Sequence, residues 1–151
     1  MGGHNGGFMS KSYCHLATHI IFATDERAYH LNQEQQDEMH KYIGGIISHS
    51  QGIPLQINGT LDHIHILCIQ PKEMCISDLV RNIKAYSSKW FNEKYHSRFH
   101  WQTGYAAYSV SKSNEDRVNE YIVNQKKHHE KVSFMEEYRK FLEMHGLKFE
   151  E

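Results

Sequence analysis

Two histidines separated by one isoleucine, His63 and His65, form the first pattern in the sequence that could do chemistry. Alternate residues of a β-strand project to the same face and lie about 7 Å apart, so these two imidazoles could share one metal ion. The same spacing also fits two partly exposed histidines on the face of a strand. The His-x-His pair alone does not decide between a metal site and a structural role.

A second candidate pair, Tyr121 and Gln125, is separated by four residues. Residues at this spacing share one face of an α-helix, so a tyrosine nucleophile and an amide ligand would project together. A tyrosine hydroxyl has a pKa near ~10 and must be activated to attack a phosphodiester, and a metal ion that polarises the phosphate could help. Alternatively, Val118 and Ile122 indicate an apolar stripe, in which Tyr121 is a core aromatic and Gln125 faces solvent.

Basic and aromatic residues in the same regions could bind DNA. Lysine and arginine neutralise phosphates, and aromatic rings stack on unpaired bases. The alternative is a solvated basic face with core aromatics, and the core position is favoured more for Trp90 than for Trp101. The residues predicted to contact DNA are Arg81, Lys84, Ser88, Lys89, Trp101, Lys126 and Lys127.

Four strands and four helices are predicted to position these residues. Hydrophobic periodicity predicts strands over 13–23, 53–58, 63–69 and 105–110. Possible helix caps at Asn32, Ser77, Ser113 and Ser133 predict the helix starts, the third helix running to about His129 and the last ending at Gly146. The order β-α-β-β-α-β with two further helices predicts an α+β, ferredoxin-like split βαβ fold with an antiparallel sheet.

Length and composition indicate one globular domain and no membrane role. The 151 residues include no apolar run approaching the ~20 residues that span a bilayer. The glycine-rich start predicts a disordered segment over 1–12 and a single domain over 13–151. The three cysteines lack paired spacing, which favours a reducing cytoplasm. With a net charge of −1, any surface that binds DNA must be local.

Several stretches together resemble one family of DNA-processing enzymes. They are LDHIHIL at 61–67, IKAYSSKW at 83–90, WQTGY at 101–105, YIVNQ at 121–125 and the histidine pair at 128–129. In this order and spacing they resemble the IS200/IS605 family of single-tyrosine transposases, members of the HUH nuclease group named for its His-hydrophobic-His motif. The resemblance covers nearly everything after residue 12.

The resemblance implies a role for each candidate residue. Tyr121 would be the nucleophile that forms a 5′-phosphotyrosine, and His63, His65 and Gln125 would bind Mg²⁺ or Mn²⁺. It also implies a homodimer, in which the tyrosine helix of one subunit could complete the metal site of the other. The implied DNA partner is single-stranded DNA with hairpins at the ends of a mobile element. Two imidazoles and an amide include no carboxylate, so we expect Mn²⁺ to support cleavage at least as well as Mg²⁺.

Three other functions remain open from the sequence. A domesticated relative could nick hairpin DNA without moving an element, and a non-catalytic module could bind nucleic acid through the same surface. A nucleotide hydrolase of the histidine-triad type is disfavoured, because Leu67 stands where that pattern has a further histidine and no glycine-rich phosphate loop is present.

Overall fold

A computed structural model describes residues 10–25 and 30–150 of the chain. Most of the segment predicted to be disordered, residues 1–9, lies outside the described residues. Residues 10–12 are exposed and belong to neither a helix nor a strand. None of the helices within the described ranges is long and apolar enough to cross a bilayer.

A four-stranded antiparallel sheet forms the centre of the fold. Its strands are β1 (Ala17–Ala23), β2 (Ile53–Gly59), β3 (His63–Ile69) and β4 (Ala106–Val110), in the spatial order β2-β3-β1-β4. This order confirms the predicted split βαβ arrangement. The first strand begins at Ala17, four residues later than predicted. Ala17 pairs with Ile69 and Val110, the last residues of β3 and β4, so residues 13–16 extend beyond both neighbouring strands and are exposed.

Two long helices cover one face of the sheet. Helix α1 (Gln33–His49) starts with the predicted capping box, in which Asn32 and Gln35 each accept a hydrogen bond from the other's backbone N–H. Helix α2 (Ile76–Tyr95) follows Cys75, so the predicted cap at Ser77 is wrong by two residues. The apolar stripes of both helices pack on alternate residues of β1 and β3, which are Ile20, Phe22, Ile64, Ile66 and Cys68.

The opposite face of the sheet is covered by shorter helices from the C-terminal part of the chain. They are α3 (Glu115–Val123), α4 (Gln125–His128) and α5 (Phe134–Met144). Ser133 caps α5 by accepting a hydrogen bond from the backbone N–H of Glu136, and Gly146, with φ +70°, follows its C-terminal end, as predicted. His63 and His65 lie on this face, since Ile64 and Ile66 between and beside them pack against α1 and α2.

The predicted continuous third helix from Ser113 to His129 is wrong. A short 3₁₀ helix over 112–114 precedes α3, Ser113 makes no capping bond, and the chain leaves α-geometry at Asn124. The Asn124 side chain donates to the carbonyl of Glu120 at 3.0 Å, a local hydrogen bond that competes with helix continuation. The helix therefore restarts at Gln125, whose side chain is buried.

Candidate metal and tyrosine site

The two histidines of β3 are buried beneath α5. Their side chains are among the least accessible polar groups of the chain, with His63 2% and His65 0% exposed. The ring centroids lie 5.3 Å apart, and Phe134 of α5 stacks on the His63 ring. This burial excludes the alternative in which both histidines are partly exposed on a strand face.

Hydrogen bonds on its outer side orient His63. Its Nδ1 lies 2.9 Å from Oδ1 of Asp62 and 2.9 Å from Oγ1 of Thr60. Its Nε2 faces inward, 3.2 Å from Oε1 of Gln125. A carboxylate that holds the outer nitrogen of an imidazole is a common way to fix the ring of a metal-binding histidine, and here it directs Nε2 toward the interior of the site.

His65 is held between two buried groups. Its Nδ1 lies 2.8 Å from Nε2 of His19 on β1, and its Nε2 lies 2.9 Å from Oε1 of Glu137 on α5. Burial lowers the pKa of His65 to about 4 and the pKa of His19 to about 3. Both imidazoles are therefore neutral near pH 7, which is the form that binds metals.

Tyr121 lies beside the histidines of its own chain. Its ring centroid is 5.9 Å from that of His65, and its hydroxyl donates a hydrogen bond to Oε2 of Glu137. Burial and the Glu137 carboxylate raise the pKa of Tyr121 well above its ordinary value, so the hydroxyl is neutral. Attack on a phosphodiester therefore requires activation of this oxygen during the reaction.

The edge strand β2 holds the end of α3 that carries Tyr121. The side-chain amide of Asn58 donates to the carbonyls of Ile122 and Val123 at 2.9 and 3.1 Å. These two bonds satisfy carbonyls that the end of a helix leaves unpaired. Gln125 begins α4 directly afterwards, so the fourfold spacing brings Tyr121 and Gln125 to the same site even though the helix is interrupted between them.

Glu137 stands at the centre of this site, although the sequence analysis did not include it. Only 2% of the residue is exposed. Burial alone would raise its pKa, but the imidazoles of His129 and His65 and the Tyr121 hydroxyl stabilise the charged carboxylate and leave its pKa below the ordinary value. The three ligands that the resemblance implies include no carboxylate, but the structure places a buried one beside them. Glu137 lies three residues after Phe134 and four before Phe141, which places it on the apolar face of α5. An acidic residue on an apolar helix face is a signal that the sequence alone contains.

The donor atoms of the site fit a divalent metal ion. His63, His65, His129 and Glu137 can each offer one ligand atom, and these atoms lie within 4.8 Å of one another. Nε2 of His129 is buried and makes no hydrogen bond within the described part of the chain, although Oε1 of Glu137 is 3.2 Å away. Nitrogen and carboxylate donors together suit Mn²⁺ or Zn²⁺, and the carboxylate also suits Mg²⁺.

The residues predicted to contact DNA do not form one surface. Arg81, Lys84, Ser88 and Lys89 lie on α2, across the sheet from the histidines, and Lys126 and Lys127 lie on α4 beside them. Lys84 is tied to the carbonyls of Gln102 and Gly104 at 2.9 and 2.5 Å, and Arg81 pairs with Asp78 at 2.5 Å. Lys127 lines an open cleft together with Tyr121 and His128.

Trp101 is largely buried, although it lines a cleft together with Arg81, Lys84 and Ser88. It is only 8% exposed and packs edge-on against the rings of Phe22 and Phe99, while its indole N–H donates to Oγ of Ser87 at 2.9 Å. Trp90 is the more accessible of the two tryptophans and stacks on Tyr42. The sequence favours the core position more for Trp90 than for Trp101, but Trp101 is the more deeply buried and Trp90 packs at the edge of the core. The indole N–H of Trp101 finds a buried partner that spacing along the chain does not reveal.

Comparison with known proteins supports the fold and identifies the family. A solved structure of a candidate transposase from Deinococcus radiodurans R1 is similar with a TM-score of 0.60 and 22% identity over 77% of this chain and 95% of the other. A REP-associated tyrosine transposase bound to a REP hairpin is similar with a TM-score of 0.60 and 16% identity over 87% and 76% of the two chains. No curated protein matches the chain. Residues 12–125 match the family described as "Transposase IS200 like", and the chain therefore belongs to this family of transposases.

Proposed function

We propose that the protein cleaves and rejoins single-stranded DNA at the hairpin-marked ends of a mobile element, with Tyr121 as the nucleophile. The observation that carries this proposal is the convergence of the Tyr121 hydroxyl, two buried imidazoles and the Gln125 amide in one site. Tyr121 reaches this site within a single chain. The same helix could still be exchanged between the subunits of a homodimer, which we include in the proposal.

The reaction exchanges one phosphate ester for another. The Tyr121 oxygen forms a bond to phosphorus while the bond from phosphorus to the 3′ oxygen breaks, which leaves a 5′-phosphotyrosine and a free 3′ hydroxyl. The proton lost by Tyr121 is balanced by the proton that the 3′ oxygen takes up. Rejoining is the reverse reaction with a new 3′ hydroxyl, so the energy of the original bond is retained in the protein–DNA ester.

The chain's own residues would hold the cation and the DNA. His63, His65 and Gln125 would bind a divalent ion, which stabilises charge on the scissile phosphate and on the departing oxygen when bound. Lys126 and Lys127 lie closest to the site and would contact the phosphates next to the cleaved bond. The α2 residues Arg81, Lys84, Ser88 and Lys89 would contact DNA further away, such as the hairpin stem. The structurally similar protein bound to a REP hairpin supports a hairpin substrate.

A covalent-adduct assay tests this function. Single-stranded oligonucleotides that carry the palindromes flanking the gene would be incubated with the protein and Mn²⁺ and separated under denaturing conditions. We expect a protein–DNA species that resists denaturation and disappears on protease treatment. A chain that binds the hairpins without forming this species would instead be a non-catalytic binding module. A nickase that moves no element would form the adduct but would not join it to a second DNA end.

The choice of metal ion gives a further prediction. We expect Mn²⁺ to support adduct formation at least as well as Mg²⁺, because the site offers imidazole nitrogens that Mn²⁺ tolerates better. The rates of adduct formation with the two ions should differ by no more than about tenfold, since the buried carboxylate of Glu137 also suits Mg²⁺. Initial rates measured across a concentration series of each ion, with EDTA as the control, would test this. Failure with both ions would contradict a metal role for the site.

A further inference from the structure

Glu137 is buried at a position where a carboxylate is costly. A buried carboxylate loses most of its solvation by water, and hydrogen bonds or cations must offset this loss. The neighbouring Glu136 is exposed on the same first turn of α5, so the burial of Glu137 does not simply follow from the acidic start of this helix. Leu142 and the partly buried rings of Phe134 and Phe141 fix α5 to the sheet and hold Glu137 in place.

The two oxygens of Glu137 face different groups. Oε1 lies 2.9 Å from Nε2 of His65, 3.2 Å from Nε2 of His129 and 3.8 Å from Nε2 of His63. Oε2 accepts from the Tyr121 hydroxyl and lies 3.3 Å from Nε2 of Gln125 and 3.3 Å from Nε2 of His128. One side of the carboxylate therefore meets three imidazole nitrogens, and the other side holds the nucleophile.

Two features of the imidazoles indicate that a cation belongs on the Oε1 side. Nε2 of His129 is buried, and its contact with Oε1 of Glu137 at 3.2 Å lacks the alignment of a hydrogen bond within the described ranges 10–25 and 30–150, so this nitrogen is poorly satisfied. Nε2 of His63 faces Oε1 of Gln125 while its other nitrogen faces Asp62. If Nδ1 of His63 donates its hydrogen to Asp62, Nε2 carries a lone pair that faces Oε1 of Gln125, which is also an acceptor. A cation bound between these two acceptors would stabilise the arrangement.

We propose that Glu137 and His129 bind the divalent metal together with His63, His65 and Gln125, and that Glu137 links this metal to Tyr121. Its Oε1 is the metal ligand, and its Oε2 positions the Tyr121 hydroxyl. The inference deepens the proposed function and rests on it for the role of Tyr121. Both new ligands lie beyond residues 12–125, the part of the chain that matches the family. Metal binding consequently depends on the docking of α5.

Direct metal binding by the purified full-length protein, without DNA, tests the ligand assignment. Isothermal titration with Mn²⁺ would compare the wild type with Glu137→Gln, which keeps the shape of the side chain but removes its charge. Glu136→Gln is the matched control, since it makes the same chemical change on the neighbouring exposed residue. We expect Glu137→Gln to weaken Mn²⁺ binding by at least about tenfold, the loss seen even for groups that only support metal ligands, and Glu136→Gln to bind like the wild type.

A second variant keeps the test decisive if Glu137→Gln does not fold. His129→Ala removes the other new ligand from the short segment before α5, and we expect it to weaken Mn²⁺ binding by a similar factor. Circular dichroism and the rise of Tm with added Mn²⁺ would be measured for each variant. Wild-type Mn²⁺ affinity in a folded Glu137→Gln protein would overturn the inference. If that variant does not fold, wild-type Mn²⁺ affinity in His129→Ala would overturn it.

The outcomes separate this inference from the proposed function. Normal Mn²⁺ binding by Glu137→Gln, together with a DNA adduct in the wild type, would overturn the ligand assignment and leave the transposase chemistry intact. Weakened Mn²⁺ binding in the variants, together with no adduct in the wild type, would support the metal ligands and contradict the proposed DNA cleavage. The role of Glu137 in positioning Tyr121 has its own measurement. At saturating Mn²⁺, Glu137→Gln should still slow adduct formation, whereas Glu136→Gln should not.

Discussion

Tyr121→Phe should eliminate the covalent DNA adduct while leaving the folded protein and its binding to hairpin DNA intact. The substitution removes only the oxygen that would attack phosphorus, and no other described hydroxyl donates to Glu137. We expect adduct formation to fall below detection. The free energy of unfolding should fall by only about 1 kcal/mol, the usual net contribution of one hydrogen bond. The loss is small because Oε2 of Glu137 keeps the Gln125 amide as a donor.

A second tyrosine provides the matched control. Tyr138 on α5 is also partly buried on this side of the sheet, but it packs against Phe134 and Phe149 rather than the histidine site. Tyr138→Phe should form the adduct at the wild-type rate. Gel electrophoresis of labelled DNA under denaturing conditions would measure the adduct, and a filter-binding assay would measure hairpin affinity. An adduct that persists in Tyr121→Phe would assign the nucleophile to another residue.

Local periodicity predicts the two pairs of site residues, but it does not predict the residues that connect one pair with the other. The alternation along β3 puts His63 and His65 on one face, and the fourfold spacing brings Tyr121 and Gln125 together even across the break at Asn124. Each of these relations depends on a few adjacent residues. For the same reason the antiparallel sheet and most element boundaries follow from the sequence with errors of a few residues.

Glu137 and His19 depend on contacts between distant parts of the chain. Glu137 lies 72 residues from its partner His65, and His19 lies 46 residues from it, so no local pattern connects them. Their positions follow from tertiary packing, in which α5 closes over the sheet and β1 pairs with β3. The burial of Trp101 has the same origin, because its partner Ser87 belongs to α2.

Loss of one histidine of the pair should have the second large effect, a slower formation of the DNA adduct. His63→Ala removes an inward-facing nitrogen that Asp62 and Thr60 hold in place, so the remaining groups cannot bind the cation in the same geometry. A metal ion that stabilises transition-state charge contributes several kcal/mol, and its loss should slow adduct formation by about 10²–10⁴-fold. Affinity for hairpin DNA should change little, because the phosphate contacts are assigned to lysine and arginine on α2 and α4.

A histidine outside the site distinguishes this effect from a general loss of imidazole. His49 is exposed near the end of α1, and His49→Ala should form the adduct at the wild-type rate. His63→Ala also opens a small cavity below Phe134, so thermal unfolding must show that the variant remains folded at the assay temperature. If folded His63→Ala forms the adduct as fast as the wild type, the histidine pair is structural. Tyr121 would then have to be activated by protein groups alone, although the nearest described carboxylate, Glu137, has a lowered pKa that makes it a weak base.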